Sequence, residues 1–263
     1  MRNTESPARL SSVANAMQIL KSFSAADGEL GIIALAARLG LAKSTVHRLA
    51  STLMQAGMLE QNPANGKYRL GITVFELGSL ARSRMDFYGE AKDTLRSLRE
   101  KTTESVHLAV LRGESVIYLN SLESHSAIKV TAPLGKRVSA HTCVEGKVLL
   151  AFSEAQTIED YLRTARGVAD IRQLRTELAS ILERGYAIGN EEAAIGVRAI
   201  AAPFFGGDND VVGAIGLAGP ATRLTRRSLM SFLPILNASM EALSSRLGAT
   251  RALPAGGLRL VGA

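Results

Sequence analysis

The sequence predicts an α+β protein in two parts: an N-terminal winged helix-turn-helix, then an antiparallel sheet covered by helices. Three observations lead there. Two amphipathic stretches, 31–39 and 43–57, flank Gly40 at a spacing suited to two helices crossing at a tight turn. A short hairpin pattern over 58–70 follows, turning near Asn65-Gly66, a pair favoured in tight hairpins. Beyond about residue 85, β-rich runs joined by short turns lie between helical segments. With 263 residues, 46% of them hydrophobic, the chain has material for two cores.

Taken in order, residues 1–10 read as a loose tail. Residues 12–24 form a first helix with Val13, Met17, Leu20 and Phe23 on one face. The two helices around Gly40 and the hairpin complete a domain over 10–71. Residues 72–88 read as a linker helix, and 89–248 as the second domain. There a helix over 88–102 precedes strands at 105–111 and 115–122, turning at Arg112, Gly113 and Glu114. A third strand is expected at 127–132, where apolar and polar residues alternate. Helices follow at 145–153, 154–164 and 171–184, the last with Ile171, Leu174, Leu178 and Ile181 at helical spacing. Strands at 197–205 and 211–219 turn through 206–210, and a long helix covers 225–247. Pro254 and Gly256-Gly257 mark 249–263 as a flexible tail.

Bulk properties exclude several classes. No apolar run approaches the roughly 18 residues of a bilayer span, and the polar N-terminus lacks a signal peptide's apolar stretch. The chain is therefore expected in the cytoplasm, with no membrane partner. Cys143 is the single cysteine, so no intramolecular disulfide can form. Net charge is +7, and residues 1–84 hold ten Lys and Arg against five Asp and Glu. An excess concentrated on one domain is the footprint of a polyanionic partner.

The segment 32–51 carries the chemistry. Ala36 is small where the helices approach, Gly40 tolerates positive φ, and Leu35, Leu39, Val46 and Leu49 supply packing faces. The second helix opens with Lys43, Ser44 and Thr45, followed by His47 and Arg48. Short donors and cations at a recognition helix's N-terminal end suit the DNA major groove. Ser44 or Thr45 could instead cap the helix, and His47 could be a plain surface residue. On the hairpin, Lys67 and Arg69 share a flank and suit backbone or minor-groove contact.

The stretches SSVANAMQILKSF, LAARLGLAKSTVHRLASTLMQAGML and KYRLG resemble the N-terminal domain of IclR-type (isocitrate lyase regulator family) regulators. VHLAVLRGESVIYL, HTCVEGKVLLAF, RGYAIGNEE and GVRAIAAPFF…GAIGLAGP resemble its second domain, in the expected order over about 10–248. The resemblance implies an effector domain similar to the GAF and PAS class, a palindromic double-stranded DNA operator, and dimers or tetramers. It also implies a small-molecule effector lined by Val144, Glu145, Val197, Ala199, Gly216 and Ala218. In this chain Val144 and Glu145 replace the small residues common before the Gly-Lys pair, and Gly216 and Ala218 replace hydroxyl side chains. Glu145 would repel an anion, so a roomier apolar site is expected, or a ligand with a hydrogen-bond donor or positive charge.

Two rivals differ in class. One is a hydrolase-like enzyme using Cys143 and His141, which are two residues apart, with an accessory helix-turn-helix. The other is a constitutive DNA-binding scaffold whose second domain only oligomerises. Four histidines, one cysteine and no CxxC speak against a metal site, and no cofactor or catalytic residue is expected. His107 reads as a satisfied sheet residue, and Lys147, Arg226 and Arg227 as surface. Glu191 and Glu192, adjacent on an extended segment, face apart. The glycines at 206, 207, 213, 216 and 219 lie in a hairpin and strand, where no phosphate cradle forms.

Overall fold

A computed structural model describes residues 11–24 and 27–254. They form two compact units, divided after Met85.

The first unit contains α1 (Ser11–Lys21), α2 (Ile32–Leu39), α3 (Lys43–Gln55), β1 (Leu59–Gln61), β2 (Tyr68–Leu70) and α4 (Ile72–Ser83). Its core gathers Ile19, Leu35, Val46, Ala50, Leu53 and Leu59. Gly40 ends α2 at φ 64°, in the left-handed region, and its N–H donates to the Ala36 carbonyl. The reversal takes three residues before α3 begins. β1 and β2 pair antiparallel, with Glu60 opposite Arg69. Leu30 and Tyr68 exchange backbone hydrogen bonds of 2.9 Å in both directions, which ties the wing to the segment before α2.

The second unit is a six-stranded antiparallel sheet in the order β5-β4-β3-β8-β7-β6. The strands are β3 (Ser105–Arg112), β4 (Ser115–Leu122), β5 (Arg137–Ser139), β6 (Ala187–Asn190), β7 (Val197–Phe205) and β8 (Val211–Pro220). Its helices are α5 (Phe87–Thr102), α6 (Val144–Ala151), α7 (Ala155–Thr164), α8 (Ile171–Arg184) and α9 (Arg226–Arg246). Phe204 meets Phe87 of α5, whereas its neighbour Phe205 meets Phe152 at the end of α6. The two rings mark the sheet's two helical layers.

All eight residues of α6 are buried. Such a helix needs close backbone approach, and glycine provides it. A Cβ on Gly146 would fall 2.1 Å from the Ala140 carbonyl oxygen, in the 3-10 turn (Ala140–Thr142) before α6. On β6, a Cβ at Gly189 would meet Val144 Cγ1 at 2.7 Å.

Three expectations are corrected. Residues 127–132 form a loop, and it is β5 that pairs with the start of β4, with Val138 opposite Val116. Strands β5 and β6, of three and four residues, are too short to show periodicity and were not foreseen. Residues 72–88 hold two helical elements: α4 ends at Ser83 and α5 begins at Phe87. In the expected tail, 249–254 is docked. Leu253 is buried, Thr250 N–H donates to Asn209 Oδ1, and the Arg251 guanidinium lies over Phe205. The expected first tail, 1–10, and residues 255–263 lie outside the described residues.

Substituting Gly146→Ala should destabilise the second unit by about 2–3 kcal/mol, despite alanine's better helix propensity. Urea unfolding followed by circular dichroism measures this, and an unchanged midpoint would contradict the packing described for α6.

Candidate functional site

The first unit presents one polar face. Val46, Ala50 and Leu53 bury one side of α3, and the helical repeat leaves Lys43, Ser44, His47 and Arg48 exposed with Thr45 half-buried. Ala42 is the N-cap and lends no side chain. Ser44 and Thr45 therefore stand in the first turn and do not cap it. The first-turn N–H groups of α3 point outward with the helix's positive end, an arrangement that suits phosphate. Lys43, Arg48 and Lys67 make no ion pair among the described residues, and Lys67 is exposed at the wing turn. Arg69 differs. Its guanidinium pairs with Glu60 at 2.9 Å across the hairpin, so part of its charge is already neutralised. That pairing follows from hairpin register, which the turn at Asn65-Gly66 alone did not settle.

The second unit holds a partly open cavity of about 280 Å³ beneath α6. Val144 and Glu145 come from α6, Val197 and Ala199 from β7, and Ala218 from β8. The loop at 130–133 and the turn at 192–194 close its rim. Gly216 does not line it. A Cβ there would collide with Glu145 Oε1 at 2.1 Å, so its bare backbone makes the room that the carboxyl occupies.

Glu145 is 3% exposed and accepts a hydrogen bond from the Tyr118 hydroxyl at 3.1 Å. Burial pushes its carboxyl above the usual carboxylate range, against its own backbone amide and Tyr118, which both favour the anion. Burial and the nearby Glu145 likewise raise the Tyr118 phenol. His107, expected to be a satisfied sheet residue, is only half satisfied. Its Nδ1 lies 3.0 Å from Ser121 Oγ, while its buried Nε2 has no partner among the described residues. It lines the cavity, 2% exposed, and burial brings its pKa down to about 4. Sequence pattern could not find this role, because an inward His on a strand looks the same whether or not it meets a cavity.

Lys147 corrects another expectation. It is 6% exposed and pairs with Glu177 at 2.8 Å and Glu192 at 2.5 Å. Burial alone would lower its pKa, but the two carboxylates leave it raised. The Glu177 partner is thirty residues away, beyond any local signal. Glu191 and Glu192 lie in a bend rather than an extended strand, Glu191 at φ 63°, and Glu191 accepts from the Gly196 N–H at 2.8 Å while Glu192 pairs with Lys147.

The Cys143–His141 pair does not form. His141 Nδ1 bonds the Tyr161 hydroxyl at 2.7 Å, and burial pushes the Cys143 thiol up to about 12. A nucleophilic thiol needs the opposite shift. Among the described residues no cluster of three or more His, Cys, Asp or Glu could hold a metal, and no helix is long and apolar enough to cross a membrane.

Comparison with known proteins agrees with both halves. Residues 12–63 match the model of the IclR helix-turn-helix domain, and residues 80–245 match that of the bacterial transcriptional regulator IclR C-terminal domain. The chain is 35% identical over 246 residues to the HTH-type transcriptional regulator XynR of Escherichia coli, covering 91% of this chain and 98% of that one. The crystal structure of an IclR-type transcriptional regulator from Silicibacter sp. TM1040 superposes with a TM-score of 0.77 at 31% identity, covering 93% and 98% of the two chains. An IclR homologue from Microbacterium hydrocarbonoxydans, crystallised in complex with 4-hydroxybenzoate, shares the fold at a TM-score of 0.79 and 23% identity over 90% and 98%. An α+β chain with a winged helix-turn-helix and a helix-covered antiparallel sheet, it belongs to the IclR family of DNA-binding transcriptional regulators, which are not enzymes.

Proposed function

We propose that this regulator is controlled by a small organic effector bound beneath α6, and that two copies read a roughly palindromic operator. The cavity carries this reading: it is concave, mostly apolar, and has a few convergent polar groups, the usual make-up of a small-molecule site. The Microbacterium homologue of the same fold, crystallised in complex with 4-hydroxybenzoate, supports a small organic molecule as ligand. Val144, Glu145, Val197, Ala199 and Ala218 form walls, while Gly216 acts indirectly by accommodating Glu145.

On the DNA side, Lys43, Ser44, Thr45, His47 and Arg48 meet the major groove, and Lys67 meets the backbone. Arg69 contributes less because Glu60 holds it. Pairing of two copies is supported by α4, where Ile72, Phe75, Leu77 and Leu80 are all exposed, Phe75 at 66%. An effector shifts operator binding only by its difference in affinity between two arrangements, and the 72–88 connection is the path for that difference. The operator places the protein in the cytoplasm.

Arg48→Ala should weaken operator binding about tenfold and reduce the salt slope by about one. Glu60→Gln should tighten it severalfold by freeing Arg69, and Arg69→Ala should have the smaller effect. Fluorescence anisotropy at several salt concentrations tests all three, and an Arg69 effect equal to that of Arg48 would contradict the pairing. Ala218→Phe, which fills the cavity, should keep operator binding and abolish every thermal shift seen with a metabolite panel of keto acids, aromatic acids and apolar or cationic compounds. Ligand responses that survive it would place the effector elsewhere. Phe75→Glu should shift the sedimentation profile toward monomer and lower operator affinity, and an unaltered profile would remove α4 from the interface.

A further inference from the structure

We propose that the cavity takes an organic cation, a protonated amine on a small apolar body, whose ammonium is held by Glu145 and His107. The inference rests on the reading of this cavity as the effector site and names its ligand class.

Charge comes first. The residues lining the cavity include two carboxylates, Glu145 and Glu192, and no Lys or Arg. Glu192 is already answered by Lys147. Glu145 has no cation, and its one side-chain partner is the Tyr118 hydroxyl. An anionic ligand would enter a low-dielectric space beside a buried carboxyl with no counter-charge. An ammonium would supply the counter-charge that the protein omits.

Geometry comes second. In the β3–β8 ladder His107 stands directly opposite Gly216, and the Glu145 carboxyl fills the space above Gly216. Glu145 and His107 are therefore neighbours on one face of the sheet. The Tyr118 ring stands edge-on to His107 at 5.9 Å and donates to Glu145, closing the group. His107 Nε2 is a buried polar atom without a partner on the cavity wall. In the tautomer whose Nδ1–H donates to Ser121 Oγ, Nε2 is an acceptor, and the proposed ammonium selects that tautomer. A carboxylate and an imidazole lone pair side by side are two acceptors for one ammonium. The imidazole also stays neutral near pH 7, so it does not repel a cation.

Binding moves a proton. The groups around Glu145 are Tyr118 on β4, His107 on β3, Cys143 at the start of α6, and at the rim Glu192 with Lys147. Those groups offer Glu145 no uncompensated positive charge, and burial favours its protonated form. Any Glu145 carboxyl that is protonated in the empty site becomes carboxylate when R–NH₃⁺ arrives, the ion pair forms, and that H⁺ leaves to solvent. Affinity therefore rises with pH until the carboxyl of the empty protein is itself ionised or the amine loses its proton.

The full chain is titrated calorimetrically with benzylamine, benzyl alcohol and benzoate, three probes of similar shape. Runs in two buffers of different ionisation enthalpy measure proton release without any mutation. The expected result is benzylamine bound at least tenfold more tightly than benzyl alcohol, benzoate weakest, and net proton release with the amine alone. Glu145→Gln, checked for folding by its melting temperature, should weaken benzylamine about 10- to 100-fold and leave benzyl alcohol nearly unchanged. Benzoate binding as tightly as benzylamine, no proton release, or an unchanged amine affinity in the variant would each overturn the cation assignment. So would an absence of binding by all three probes. The effector-site reading fails separately, if Ala218→Phe leaves the panel responses intact.

Discussion

The close seating of α6 against the sheet and the 3-10 turn is the constraint on which the second unit depends. An eight-residue helix with no solvent-facing side can be held only where neighbouring backbones come near, and Gly146, Gly189 and Gly216 each remove a side chain at such a point. The same closeness carries a carboxyl into the interior. Glu145 lies within the first turn of a buried helix, so it must point into protein, and Gly216 is the vacancy that receives it. Its acidity, the Tyr118 hydrogen bond and the polarity of the cavity all descend from that packing. Lys147, two residues on, has the same problem and resolves it differently, reaching Glu177 and Glu192. One charge in α6 is compensated by the fold and the other is not.

The first unit runs on a simpler principle. Its core is a small cluster around Ile19, Leu35, Val46 and Leu59, and the polar residues of α3 and the wing are left on the surface. Gly40 makes the reversal between α2 and α3 short, so the N-terminal end of α3 projects with its amide groups free. Affinity for a polyanion then depends on which cations are unpaired. Among the described residues Lys43, Arg48 and Lys67 form no close ion pair of the kind that Glu60 gives Arg69, although Glu29 lies near enough to Lys67 to feel its charge. A count of basic residues would treat all four alike, whereas cross-strand register separates them.

Much of this was legible from residues. The helix at 171–184 follows from periodicity over fourteen residues, where the signal accumulates. Val144, Glu145, Val197, Ala199 and Ala218 were singled out through family resemblance, and the structure brings these five to one cavity. Residues 127–132 misled because an alternating pattern states only that a segment can be a strand. Which segment pairs is decided by the tertiary path of the chain, and on β4 it is Arg137–Ser139 that pairs, against Ser115–Ile117. Arg251 and Leu253 were assigned to a loose tail because nothing local shows that Phe205 and the core lie beside them.

The amino-acid sequence alone determined the two-part architecture and the polar face of α3, because both are written in local side-chain spacing, while Glu145 was marked as a pocket residue by family resemblance and its burial came from the fold. Tertiary structure decided what those groups meet. His107 and Gly216 are more than a hundred residues apart in the chain and directly opposite in the sheet, and Glu145 reaches them from a third element. Which acid is left uncompensated, which imidazole nitrogen is left bare, and which arginine is already neutralised are questions of proximity. Proximity between distant segments is set by how helices and strands pack, and no local pattern encodes it.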